Sequence, residues 1–112
     1  MDTLNYKMGW LVVMFDLPTL TPIERRNAAL FRKRLLEDGY LMIQYSVYAR
    51  GCVTHDRVLT HMRRLKSFLP PRGRVRCLFV TNIQWQKTFL FYGDDPPDDP
   101  SPEQPAEQLL LW

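Results

Sequence analysis

Residues 12–18 read VVMFDLP, an apolar run that stops on a carboxylate. Gly9 stands before the run and Pro18 after it, and about six residues bounded in this way predict a buried central strand. The charge falls at the last position of that strand. Carboxylates at strand ends ordinarily make Asx turns or cap a following helix. The helix that follows here does not need one. In TLTPIERR, Thr21 is the N-cap, Pro22 takes the first helical position and Glu24 closes a T-x-x-E capping box. Asp16 is therefore not needed for that job, and a turn role and a functional role both stay open to it.

The remaining elements follow from periodicity. The first helix runs from Pro22 to about Asp38, where Gly39 stops it. Ala28, Phe31 and Leu35 form its core face, with Arg25, Arg26, Lys33 and Glu37 outside it and Arg32 at its edge, the stem laid along apolar surface. Tyr40–Val53 alternates as one long strand or as a kinked pair near Gln44–Ser46; with no Gly or Pro to mark a break, periodicity favours one strand. Thr54 caps a second helix whose apolar positions are Val58, Met62, Leu65 and Leu69. Pro70-Pro71 ends it and Gly73 turns the chain. Two further strands are expected, Arg74–Thr81 and Lys87–Tyr92, separated by a short loop around Asn82-Ile83.

A chain of 112 residues makes one compact domain. MDTLNYKM at the start lacks the basic region of a signal peptide, and no window approaches the ~18 apolar residues of a membrane span, so the expectation is a cytoplasmic protein with no membrane partner. Cys52 and Cys77 sit in unrelated contexts and predict no disulfide framework. All 15 Lys/Arg residues lie between Lys7 and Lys87, whereas six of the 12 acids lie beyond Gly93. Residues 1–93 thus carry a formal +9 and residues 94–112 carry −6. So basic a body points to a polyanionic partner, nucleic acid above all, against the simpler reading of a well-solvated surface. Arg25, Arg26, Arg72, Arg74 and Arg76, at a helix start and around an exposed turn, are the candidate phosphate contacts. DDPPDDPSP over 94–102 can form neither helix nor ladder and reads as a stiff, acidic linker. EQPAEQLLLW beyond it ends in four apolar residues that predict a strand added to a sheet edge.

Strand, helix, β-ribbon, helix, strand and strand is the order of a ferredoxin-like βαββαβ sheet with additional C-terminal strands, an α+β fold. VVMFDLP on the first strand, ERRNAALFRKRLLEDGY in the first helix and QYSVYAR in the ribbon resemble the CRISPR-associated protein two family, the small nuclease-like partner of the CRISPR integrase. The resemblance spans about Trp10 to Gly93. It implies that Tyr40–Val53 splits into two strands at Gln44–Tyr45. It also implies three units: a ferredoxin-like domain over 1–93, the linker over 94–102, and a C-terminal strand over 103–112 that docks on the partner subunit of a homodimer.

In that family the aspartate matching Asp16 is the metal-binding, catalytic residue of an endonuclease acting on RNA or DNA. One carboxylate is poor equipment for hydrolysis, but a twofold axis near the first strand brings Asp16 to its own copy. Two facing carboxylates repel, and a divalent cation relieves the repulsion. Mg2+ suits the site, because it takes one or two carboxylates and keeps waters for substrate phosphate. Other metal sets are weaker. His55 and His61 point about 240° apart on one helix, and the C-x-x-H spacing of Cys52 and His55 has no second pair to complete a zinc site. The competing readings are a non-catalytic adaptor that clamps duplex DNA for the integrase during spacer acquisition, and an RRM-type RNA-binding module. VRCLFVTN does not fit the aromatic motif the latter requires.

Overall fold

The apolar run becomes β1 (Gly9–Asp16), which ends on the carboxylate as expected. The computed structural model describes residues 8–94. After β1 come α1 (Pro22–Glu37), β2 (Leu41–Gln44), β3 (Val47–Cys52), α2 (His55–Ser67), β4 (Arg74–Thr81) and α3 (Asn82–Gln86). The strands form one sheet in the order β2-β3-β1-β4, every pair antiparallel. This is the ferredoxin-like α+β arrangement. β1 lies between two partners, and Leu11, Val12 and Val13 are all buried, so side chains on both faces of its middle are withdrawn from water and its sequence reads as a continuous apolar run rather than as an alternation.

α1 begins as its capping box dictates. The Thr21 hydroxyl accepts from the Glu24 N–H at 3.1 Å, and the Glu24 carboxylate accepts from the Thr21 N–H at 3.0 Å. It ends in a left-handed glycine cap. Gly39 has φ +90°, its N–H donates to the Leu36 carbonyl, and the Tyr40 N–H reaches back to the Leu35 carbonyl. The core lies on one face of the sheet. Leu11, Val13 and Phe15 of β1 pack there with Phe31 and Leu35 of α1, Tyr48 of β3, and Val58 and Leu65 of α2.

Three expectations change. Tyr40–Val53 is two strands, as the family resemblance implied and periodicity did not. The break is at Tyr45-Ser46, where Ser46 adopts φ +68° without any glycine to mark it. α2 buries Val58, His61 and Leu65, while Met62 and Leu69 lie 43% and 46% exposed. The cause is polar: the His61 ring, 3% exposed, sets Nδ1 3.0 Å from Asp38 Oδ2, and Arg64 Nη1 meets Asp38 Oδ1 at 2.9 Å. Arg50 of β3 donates to the Asp38 carbonyl as well. Lys87–Tyr92 is not a strand. Thr81 and Gln84 form a second capping box that starts α3 where a loop was expected, and this helix leads the chain away from the β4 edge. Without an edge to pair with, Phe89 and Phe91 stand 74% and 85% exposed. The linker and C-terminal strand expected beyond Asp94 lie outside the described residues.

Two expectations can be measured. Asp38 joins the end of α1 to α2 and β3, so Asp38→Ala leaves buried His61 without its acceptor. This should destabilise the fold by about 2–3 kcal/mol in denaturant titration; a loss below about 0.5 kcal/mol would show the node to be incidental. Burial, reinforced by the nearby Cys52 thiol, pushes the Cys77 thiol up from 9.0 to about 11. The unfolded chain therefore releases this proton before the folded chain does, and stability falls as pH rises from about 9 to 11. Burial raises the Tyr40 hydroxyl too and adds to the same trend above pH 10. Unfolding midpoints across that window should decline, and less steeply in Cys77→Ala.

Candidate metal and nucleic-acid site

Alternation along β1 decides where Asp16 stands. Leu11, Val13 and Phe15 face the helices, so Trp10, Val12, Met14 and Asp16 share the opposite face. β4 is divided in the same way. Val75, Cys77 and Phe79 pack on the core, and Arg74, Arg76 and Leu78 are exposed on the other side. The register pairs Asp16 with Arg74 and Met14 with Arg76. An exposed carboxylate thus has one guanidinium-bearing residue directly across from it and a second on the diagonal, within reach of long side chains. Among the described residues neither arginine forms an ion pair with Asp16. The group is open to a ligand rather than closed on itself.

Gly73 sets the spacing of this strand end. Its φ is +101°, and a Cβ there would lie 2.7 Å from the Asp16 carbonyl oxygen and 2.7 Å from Leu17 Cδ2. Only a residue without a side chain lets the turn before β4 approach β1 so closely. The other candidate cations surround the same end of the fold. Arg25 Nη1 donates to the Thr19 and Leu20 carbonyls at 3.1 and 3.0 Å, bracing the loop after Asp16. Arg72 Nη1 stands 3.7 Å from Glu24 Oε2. Arg26 is exposed on the first turns of α1. Of the five arginines, Arg74 and Arg76 share a face with Asp16, whereas Arg25 and Arg72 are partly engaged in the loop.

The supply of metal ligands within one chain is small. Among the described residues no three His, Cys, Asp or Glu side chains converge as a cation site. Glu24 is occupied as a helix cap: the Thr21 N–H, then the Leu20 N–H, the Thr21 hydroxyl and the Arg72 charge hold its carboxyl below the usual carboxylate value. His61 is turned to Asp38. At this strand end what remains is Asp16, and magnesium takes one or two carboxylates together with waters and substrate phosphate. A hollow of about 320 Å3 lies between Leu17, Pro18, Ile23, Pro70 and Arg72. Asp16 is not in its lining but on an exposed strand end, an arrangement that suits a long polymer better than a small molecule.

Residues 8–88 match the family described as CRISPR associated protein Cas2. The chain belongs to the Cas2 family. It is 39% identical over 108 residues to a CRISPR-associated endoribonuclease Cas2 of Flavobacterium psychrophilum, covering 96% of this chain and 91% of that protein. It is 43% identical over 102 residues to a CRISPR-associated endoribonuclease Cas2 of Parvibaculum lavamentivorans, covering 91% and 99%. A third Cas2 relative carrying the same name, from Paracidovorax avenae, is 40% identical over 89 residues. The matched stretch contains every strand and helix of the described fold, and it includes Asp16 and all five arginines.

Gly73→Ala tests how the strand end is held. It should cost about 1–3 kcal/mol, as strained left-handed backbone does, and should reposition Asp16 relative to β4. An unchanged thermal midpoint would show that the close approach does not constrain the site.

Proposed function

We propose that the protein is a cytoplasmic, metal-dependent endonuclease of CRISPR adaptation that works as a homodimer, with Asp16 of both subunits holding Mg2+. The observation that supports this most directly is the position of Asp16: on the face of the sheet away from α1 and α2, at its end, beside two arginines that form no ion pair among the described residues. That face also carries Trp10, Val12, Met14 and Leu78. α3 reaches it at one end, where Trp85 packs on Trp10 with ring centroids 5.6 Å apart. An apolar sheet face that neither α1 nor α2 covers is suited to a second copy. An isologous contact over it brings the two Asp16 carboxylates toward one another.

In this reading the residues divide the work. Asp16 supplies the negative charge that makes the cation site. Arg74 and Arg76 bind the substrate's phosphate oxygens and offset the charge that builds up during hydrolysis. Arg25 and Gly73 keep the flanking turns in place. A magnesium ion held there supplies Lewis acidity toward the phosphodiester and lowers the pKa of water. RNA is the substrate that the names of the relatives favour, with DNA as the alternative.

A second role is supported by the basic body. Arg25, Arg26, Arg72, Arg74 and Arg76 gather at one end of the fold, and we propose that they also grip duplex DNA while the CRISPR integrase joins its ends during spacer acquisition. Such contacts read phosphate rather than sequence. This role does not require Asp16, and that separates the two.

Asp16→Asn should abolish magnesium-dependent cleavage while the dimer stays intact in sedimentation. Equal cleavage by mutant and parent would refute the catalytic reading. Spacer acquisition by the same variant then distinguishes enzyme from adaptor: retained acquisition assigns the physiological role to DNA binding alone. For the DNA surface, replacing one true phosphate contact among the five arginines should lower the slope of log affinity against log salt by about one. An unchanged slope after combined replacement would place the DNA on another face.

A further inference from the structure

Arg32 has no role in the site described so far, yet it is held in an unusual way. Its guanidinium lies between two aromatic rings, with Cζ 4.6 Å from the Tyr45 centroid and 5.5 Å from the Phe15 centroid. Its Nε is buried and has no hydrogen-bond partner, and among the described residues no hydrogen bond or ion pair engages the rest of the group. The Nε–H is thus withdrawn from water and left without an acceptor, while the four N–H donors of the half-buried group's terminal nitrogens have no protein partner among the described residues. That costs free energy which stacking on rings offsets only in part.

The surroundings are rigid. Phe15 packs edge-on against Phe31 at 5.1 Å and stacks on Tyr48 at 5.6 Å. Tyr45 belongs to the turn between β2 and β3, whose next residue, Ser46, occupies the left-handed region at φ +68°. The Phe15 N–H donates to the Ser46 carbonyl at 3.1 Å and ties this turn to the end of β1, one residue before Asp16. Strained backbone holds Tyr45 over Arg32, and Tyr45 itself is 75% exposed. A large ring laid flat over a cation, with so much of its surface in water, contributes little as core.

We propose that Arg32 and Tyr45 form a nucleotide subsite for single-stranded nucleic acid. Arg32 takes a backbone phosphate through the donors that the protein leaves open, and a neighbouring base stacks on the outer face of Tyr45. The two chemistries match the two halves of a nucleotide: a guanidinium for the phosphate and an exposed ring for the base. Single strands are specified because a paired base cannot leave its stack to reach the ring. The subsite rests on the nuclease reading above. It places a nucleotide at the strand end that bears Asp16, on the helix side of the sheet rather than on the open face.

The test is binding of a fluorescent single-stranded oligoribonucleotide to the full chain in an Asp16→Asn background, from about 50 to 200 mM salt. Tyr45→Ala, at an exposed position, should weaken binding about tenfold, the scale of one base stack, with the salt slope kept. Tyr45→Phe should bind as the parent does. Arg32→Gln should lower the slope by about one with the oligomeric state unchanged; if this variant does not fold, Tyr45→Ala carries the test. Tyr45→Ala binding within twofold of the parent, or Arg32→Gln keeping the parent's slope, overturns the subsite. Arg32→Gln that loses the dimer while keeping the slope overturns it too, and assigns the guanidinium to a second copy of the chain. A parent protein that binds no oligonucleotide overturns the nuclease reading itself.

Discussion

The structure depends on β1 being paired along both of its edges. β3 and β4 hydrogen-bond to it from either side, so its side chains have only two destinations, the helix-covered core or the uncovered face. Leu11, Val13 and Phe15 take the first. Trp10, Val12, Met14 and Asp16 therefore have the second, and the carboxylate is placed by the pleat rather than by any contact of its own. The β4 register then sets Arg74 opposite Asp16. A slip of one residue would send the arginine to the core side and bring Val75 out. The Gly73 turn opposes such a slip, because it brings the two strand ends closer than a side chain would permit.

This arrangement gives the site its electrostatic character. A carboxylate flanked by guanidiniums has both of the charges that phosphodiester chemistry uses, one for a cation and the others for phosphate oxygens. In a single chain the carboxylate has no second acidic partner, and nearby Glu24 is taken up by its helix cap. The proposed dimer supplies that partner by symmetry. On the other side of the strand Arg32 lies against two rings with its Nε unpartnered, and the proposed subsite would give its open donors a phosphate.

Much of this was legible in the residues. The apolar run, the T-x-x-E box and Gly39 located β1 and α1 because each signal acts over a few neighbouring residues. β4 could be read from its alternation of arginine with Val75, Cys77 and Phe79. The failures share a cause, which is that tertiary partners overrode local pattern. His61 displaces Met62 from the core because Asp38, 23 residues away, offers it an acceptor, and no spacing rule reports that. The Tyr45-Ser46 turn carries no glycine; the carbonyl that closes it pairs with Phe15 on a distant strand. α3 was a different kind of miss, since TNIQ at 81–84 is a capping box that local reading could have found. Lys87–Tyr92 has a strand's composition but meets no edge in its own chain. Asp16 stood out in the sequence, whereas its neighbours Arg74 and Arg76 could be associated with it only through the sheet register.

In the proposed function the cation site is built from two copies of Asp16 across the open sheet face. Manganese binding, followed by electron paramagnetic resonance on the purified full-length protein, tests it without relying on turnover, because Mn2+ shares the oxygen-ligand preference of magnesium. One bound ion for every two chains is expected, lost in Asp16→Asn while the dimer persists. One ion per chain, or binding that survives the substitution, would contradict it.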